Sequence, residues 1–217
     1  MKSLLFDLDD TLVSVSDEYR ISLVNATTDS LGIARHTSPL ELWYWHFDTK
    51  VHENLGTDIH TFWNTLSDIN EGREEASIKA TTPYPDVSLL KQFKEMGLKM
   101  AVVTGSPTER AWREIEVLYS AVGERVFDSI VIANKRCANV EFKPSPEGAL
   151  IALKELKCKA EDSLFIGNGF EDVQCAKNAG VKSVLVERTQ REKELEIEAT
   201  YRVSGLGELK TLLKALG

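Results

Sequence analysis

The chain is short of cysteine, has no long apolar run and carries no excess of positive charge. Its three cysteines, Cys137, Cys158 and Cys175, are odd in number and far apart among 217 residues. That spacing suits neither a disulfide framework nor a zinc site, and it reads as reduced thiols of a cytoplasmic protein. No stretch approaches the length of a transmembrane helix, so no membrane partner is expected. The opening "MKSLLFDLDD" has too short an apolar run for a secretion signal and turns acidic at once. Lys and Arg number 26 against 34 Asp and Glu, giving a formal net charge of -8. A general nucleic-acid binder needs the opposite balance, so no nucleic-acid partner is expected. Internal repeats and low-complexity segments are also absent.

What is present is an ordinary globular composition, 42% hydrophobic and 28% charged, on a length that suits one domain or a domain with an insertion. Residues 3–7 read as a short buried strand. From Ser14 to about Thr82 the apolar spacing is helical. "SVSD" at Ser14 resembles a capping box, and "SPLE" at Ser38 is a stronger one, with Pro at the first helical position. Leu40, Trp43, Tyr44, Phe47, Val51 and Leu55 would share one face of the helix that follows. A third helix is expected from Thr57 and a short fourth one at Glu74 to Lys79.

From Tyr84 onward strands alternate with helices: "LKMAVVT", "SIVIA", "SLFIG" and "VKSVLV" as strands, with capped helical segments between them. "SPTE" at Ser106 is expected to cap one of these helices. Such alternation predicts an α/β fold, a parallel sheet covered on both faces. The first strand belongs to that sheet, so the helical stretch is an insertion after it.

In an open parallel sheet, ligands bind beyond the carboxyl ends of the strands. The first strand ends at Asp7, with Asp9 and Asp10 just beyond. The second ends at Thr104, followed by Gly105. Lys143 precedes a capped helix in "EFKPSPEG", and the fourth strand runs into "IGNGFED", with Asn168, Glu171 and Asp172. Gathered carboxylates suit a hard cation such as magnesium. A hydroxyl, a glycine amide and an ammonium suit phosphate oxygens. The constellation points to phosphoryl transfer.

"FDLDDTL", "VVTGS", "FKPSPEG" and "FIGNGFEDV" resemble, in order, the four motifs of the haloacid dehalogenase-like phosphohydrolases. "PYPDVSLLKQFKEMGLKMAVVTGSP" further resembles the phosphoglycolate-phosphatase-like branch, as does a helical insertion just after the first motif. The resemblance implies a doubly wound, Rossmann-like core made of residues 1–13 and 83–217, with an all-helical cap over 14–82. It implies a magnesium-dependent phosphatase acting on a small phosphorylated metabolite. Asp7 would be the nucleophile that forms an aspartyl-phosphate, and Asp9 the acid and then the base. Asp9, Thr104, Gly105 and Lys143 would hold the phosphoryl group. Magnesium would be held by Asp7, the Asp9 carbonyl, Asn168 and Asp172. Asp9 favours phosphate esters, because the dehalogenases and phosphonatases of the family have no acid there. Asp10 reads as a loop-shaping acid.

One position departs from the pattern. The fourth motif usually opens with an Asp that ligates the metal, and this chain has Asn168. An amide oxygen can ligate magnesium but brings no charge, so weaker metal affinity is expected. A phosphomutase would carry the same Asp7 and Asp9 pair, and a degenerate phosphometabolite-binding protein would tolerate Asn168; both readings stay open at this stage. So does oligomeric state. The insertion holds all four His (His36, His46, His52, His60) and three of the four Trp (Trp43, Trp45, Trp63). Their spacing fits no compact zinc motif. Arg20, Trp45 and His46 are candidate substrate contacts, with a plain surface position open for Arg20.

Overall fold

The computed structural model describes residues 1–34, 38–44, 56–189, 193 and 196–216. His36, Trp45, His46, Phe47, Val51, His52 and Leu55 therefore lie outside the described residues. The chain divides into two compact units, Met1–Ser14 with Pro83–Gly217, and Val15–Thr82.

The larger unit is built on β1 (Ser3–Phe6), β4 (Lys99–Thr104), β5 (Ser129–Ile132), β6 (Ser163–Gly167), β7 (Lys182–Val186) and β8 (Tyr201–Val203). They form one six-stranded sheet in the order β5-β4-β1-β6-β7-β8, every pair parallel. The strands are apolar on both faces because helices cover both. Leu4, Phe6, Met100, Val102, Leu164 and Ile166 enter one core. The residues between them, Leu5, Ala101, Val103 and Phe165, enter the other. Chain order reverses at β1, whose neighbours β4 and β6 come later in the sequence on either side. This is the parallel sheet covered on both faces that the alternating pattern predicts, in the doubly wound arrangement that the resemblance implies.

The described helices are α1 (Asp17–Ser30), α2 (Pro39–Tyr44), α3 (Ile59–Asn70) and α4 (Glu74–Ala80) in the insertion, then α5 (Leu89–Glu95), α6 (Thr108–Val122), α7 (Lys135–Ala138), α8 (Glu147–Leu156), α9 (Phe170–Asn178) and α10 (Leu206–Leu216). The "SPLE" capping box forms: the Glu41 N–H donates to Ser38 Oγ at 3.2 Å and the Ser38 N–H to Glu41 Oε2 at 3.1 Å. The cap of α1 is Ser16 instead of Ser14, accepting from the Tyr19 N–H at 3.4 Å. The helical segment before β4 opens as a 3-10 turn, Pro85–Ser88, and continues as α5. Gly97 ends that run with φ 78°, a left-handed conformation that suits glycine.

The described part of the insertion is mainly helical and has its own core of Leu23, Val24, Leu42, Trp43, Phe62 and Leu66. Two short strands missing from the sequence reading, β2 (Val13–Val15) and β3 (Thr81–Pro83), pair with each other where the chain enters and leaves it. No helix among the described residues is long and apolar enough to cross a membrane.

Candidate active site

Parallel pairing sets the site's position. Phe6 is in register with Val102 and with Ile166, so β6 ends one residue and β4 two residues beyond the level of the end of β1. Asp7 follows directly, its N–H donating to the Ile166 carbonyl at 2.8 Å. The chain then turns sharply: the Leu8 carbonyl accepts from the amides of Leu12 and Val13 at 2.9 and 3.1 Å. Asp10 sits in that turn at φ 57°, a conformation Asp tolerates better than most residues, and its N–H donates to the Val13 carbonyl at 2.6 Å.

One polar cluster is centred on Lys143. Its Nζ lies 2.6 Å from Asp7 Oδ1 and 2.6 Å from Asp172 Oδ1, with all three side chains buried. The second Asp7 oxygen accepts from Thr11 Oγ1 at 3.1 Å, and the same hydroxyl lies 3.5 Å from Asn168 Oδ1. Asp172 Oδ2 accepts from the backbone N–H groups of Asn168 and Gly169 at 3.1 Å each. Only glycine at 167 allows this, because a Cβ there would lie 2.3 Å from the Asp172 carboxyl carbon.

Burial pushes the Asp7 carboxyl well above the ordinary carboxylate range, and the Asp172 and Asp9 charges add to burial while Lys143 opposes it. Burial pulls Lys143 down, but Asp172 and Asp7 outweigh it and hold the ammonium well above its usual value. The cluster therefore keeps a charged lysine against a carboxyl that is costly to ionise, a place where further positive charge would be favourable.

A second cluster surrounds Asp9. Ser106 Oγ donates to Asp9 Oδ2 at 2.7 Å, and Arg110 Nη2 donates to Asp9 Oδ1 at 2.9 Å. Arg110 Nε donates to Glu114 Oε1 at 2.8 Å, one turn further along α6. Glu114 is fully buried, and its Oε2 has no hydrogen-bond partner among the described residues. Burial raises its pKa from 4.5 to about 7, with Asp9 adding and Arg110 opposing. A raised folded-state pKa contributes stability present below the unfolded value and lost as pH climbs through the folded one. Glu114→Gln is therefore expected to be stabilising relative to wild type by an amount that grows between pH 4.5 and 7, approaching about 3 kcal/mol. Thermal denaturation of both proteins across that window measures it; a constant or shrinking difference contradicts it.

Asp7, Lys143, Asn168 and Asp172 meet in the first cluster. Thr104 is fully buried at the end of β4, its Oγ1 accepting from the Ser106 N–H at 3.1 Å. The Gly105 carbonyl beside it accepts from Asn134 Nδ2 at 2.8 Å. Ser106 does not cap α6, contrary to the sequence expectation; its hydroxyl goes to Asp9, and Pro107 stands at the cap position with no side-chain hydrogen bond. Sequence reasoning missed Thr11, Arg110 and Glu114. Their available signal was an Arg and Glu four apart on the helix that follows the second motif. Arg20 is not a surface residue: it is 2% exposed within the insertion, its guanidinium 5.4 Å from the Trp43 ring centre. The three cysteines are free thiols, and burial pushes Cys175 up to about 12, which disfavours a nucleophilic thiolate.

Among the described residues no three His, Cys, Asp or Glu side chains gather as a metal cage. Asp7 Oδ2 and Asn168 Oδ1 nevertheless converge on one hydroxyl. Magnesium suits such a set, since it takes one or two protein oxygens and completes its shell with water and substrate phosphate.

A family model described as haloacid dehalogenase-like hydrolase matches residues 4–186. The glyceraldehyde 3-phosphate phosphatase of Methanocaldococcus jannaschii is 26% identical over 235 residues, an alignment covering 100% of this chain and 98% of that one. The phosphoglycolate phosphatase of Aquifex aeolicus is 26% identical, covering 85% of this chain and 84% of its own. Among solved structures, a predicted phosphatase from Clostridium acetobutylicum superposes with a TM-score of 0.76 at 22% identity, covering 98% of each chain.

Proposed function

The chain belongs to the haloacid dehalogenase-like hydrolases and hydrolyses phosphate esters, and we propose that it is a magnesium-dependent phosphatase of small phosphorylated metabolites that works through Asp7. The observation that carries this is the 2.6 Å contact of Lys143 with Asp7, at the end of the central strand and beside Asn168 and Asp172. Two relatives are named for small phosphate esters, phosphoglycolate and glyceraldehyde 3-phosphate, which is the substrate class assigned here.

Asp7 attacks phosphorus; the new O–P bond forms as the ester P–O bond breaks, leaving an aspartyl-phosphate. Asp9 gives a proton to the departing oxygen, then takes one from the water that hydrolyses the intermediate, and inorganic phosphate leaves. The Thr104 hydroxyl, the Gly105 amide and the Lys143 ammonium hold the phosphoryl oxygens. The residues that would hold magnesium are Asp7, the Asp9 carbonyl and Asn168. Bound there, the ion supplies positive charge that lets an anionic nucleophile meet an anionic ester. Asp172, expected from the sequence as a ligand, has both oxygens committed to Lys143 and to two backbone amides. Its assigned part is to fix that lysine and the loop carrying Asn168. Residues 14–82 are assigned as the family's helical cap module, and the cytoplasm as the compartment, with its three thiols free.

Phosphate release from phosphoglycolate, glyceraldehyde 3-phosphate and p-nitrophenyl phosphate, with and without magnesium, tests the proposal. Magnesium-dependent inorganic phosphate is expected. An isomerised phosphate ester without free phosphate would make the protein a mutase, and no turnover with any divalent metal would make it a binding protein.

Asn168→Asp is expected to lower the magnesium concentration for half-maximal rate by about tenfold, because a charged oxygen replaces a neutral one. Magnesium titration of both proteins checks this, and an unchanged requirement would exclude Asn168 from the metal's surroundings.

A further inference from the structure

We propose that Arg110 is a positioning residue for Asp9, with Glu114 as its anchor: the two fix the carboxylate that protonates the leaving group. The inference rests on the acid role assigned to Asp9 above.

The Arg110 guanidinium is shared between two carboxylates. Nε and Nη2 form one edge of an arginine, the edge used to grip a single carboxylate with two parallel hydrogen bonds. Here that edge is split. Nε holds Glu114 Oε1 at 2.8 Å, and Nη2 holds Asp9 Oδ1 at 2.9 Å. Among the described residues, Glu114 Oε2 is left buried without a hydrogen-bond partner.

A pair selected for stability alone would close both bonds on Glu114, or would place an apolar residue in that fully buried position. The split grip is unfavourable for Glu114 and favourable for Asp9. Asp9 is 31% exposed at its side chain and lies in a loop, so its two torsions need external restraint. Arg110 on one oxygen and Ser106 on the other provide it. Each carboxylate oxygen has two lone pairs, so a proton can still sit on the side facing substrate. Arg110 is itself 14% exposed and anchored one turn from a buried charge, which makes it a stiffer support than a surface arginine.

A residue that acts through a general acid matters most when the leaving group needs its proton. The value of kcat/KM reports the enzyme up to its first irreversible step, here phosphorylation of Asp7. Arg110→Met should lower kcat/KM by about tenfold or more on the alkyl phosphate turned over fastest, and by less than about twofold on p-nitrophenyl phosphate, whose anion leaves unaided. Glu114→Gln should show the same selectivity, and the double variant should be no worse than Arg110→Met alone. Equal losses on both esters, additive losses, or no loss would overturn the inference. Should Arg110→Met not fold, Glu114→Gln carries the same comparison. Asp9→Asn, assayed in parallel, must show the steepest dependence on leaving group. If it does not, the acid role of Asp9 fails; if it does while Arg110→Met does not, only the positioning role fails.

Discussion

Asp7→Asn is expected to cut phosphate release by at least about a thousandfold while leaving the fold intact, a loss of about 4 kcal/mol or more in transition-state stabilisation. An amide oxygen is a poor nucleophile and cannot form a stable acyl-phosphate, so the covalent route closes entirely. The fold should survive because Asn keeps the shape and can still accept from Thr11. Stability should even favour the variant at neutral pH. Burial and neighbouring carboxylates raise the Asp7 carboxyl above its ordinary 3.8. Stability linked to that proton is present below 3.8 and lost as pH rises through the folded-state value. The Asn variant lacks this term, so its advantage in Tm should grow from acid to neutral pH. Steady-state assays and thermal denaturation with chelator present test both halves. Retained activity, or collapse of the fold, would contradict the assignment.

Lys143→Met should do the opposite to stability. It removes the only ammonium contacting Asp7 and Asp172 among the described hydrogen bonds, and leaves two buried carboxyls facing each other. Breaking a buried ion pair from one side costs about 3–5 kcal/mol. The raised Lys143 pKa means its contribution is whole through neutral pH and is lost only as pH climbs past the folded-state value. In the variant the deficit should shrink toward acid pH, where Asp7 takes up a proton and the repulsion fades. Activity should fall by about 10²–10³, because the proposed donor to the phosphoryl oxygens is lost with the charge beside the proposed nucleophile. Denaturation at pH 5 and pH 8, in chelator, measures the first effect. A deficit below about 1 kcal/mol at pH 8, or one that grows toward pH 5, would show that the lysine is not the counter-charge described here.

Much of this was legible because strong local signals agree with the global fold. The apolar runs of β1, β4, β6 and β7 and the Ser38–Glu41 capping box carry their reading in a few residues. The convergence of Asp7, Lys143, Asn168 and Asp172 followed from their places at or beyond strand ends, and parallel pairing put the same ends of β1 and β6 side by side. What stayed hidden depends on contacts between distant segments. Ser106 looks like a helix cap in isolation; its hydroxyl is drawn instead to Asp9, 97 positions away in sequence. The Arg110 grip on Asp9 spans 101 positions and exists only because β1 and β4 are neighbours. Strands β2 and β3 have three residues each, too few to show any periodicity. Asp172 was readable as an acid in the right place, but its two backbone partners depend on Gly167, whose missing Cβ sequence spacing does not reveal.

In the proposed mechanism Asp7 carries the phosphoryl group. Asp9→Asn with p-nitrophenyl phosphate tests it most directly, since this ester phosphorylates Asp7 without an acid while hydrolysis stalls without a base. A burst of one nitrophenolate per chain, followed by near arrest, is expected, together with a peptide containing Asp7 heavier by one phosphoryl group. Steady turnover with no phosphoryl group on that peptide, or a phosphoryl group on a different residue, would contradict it.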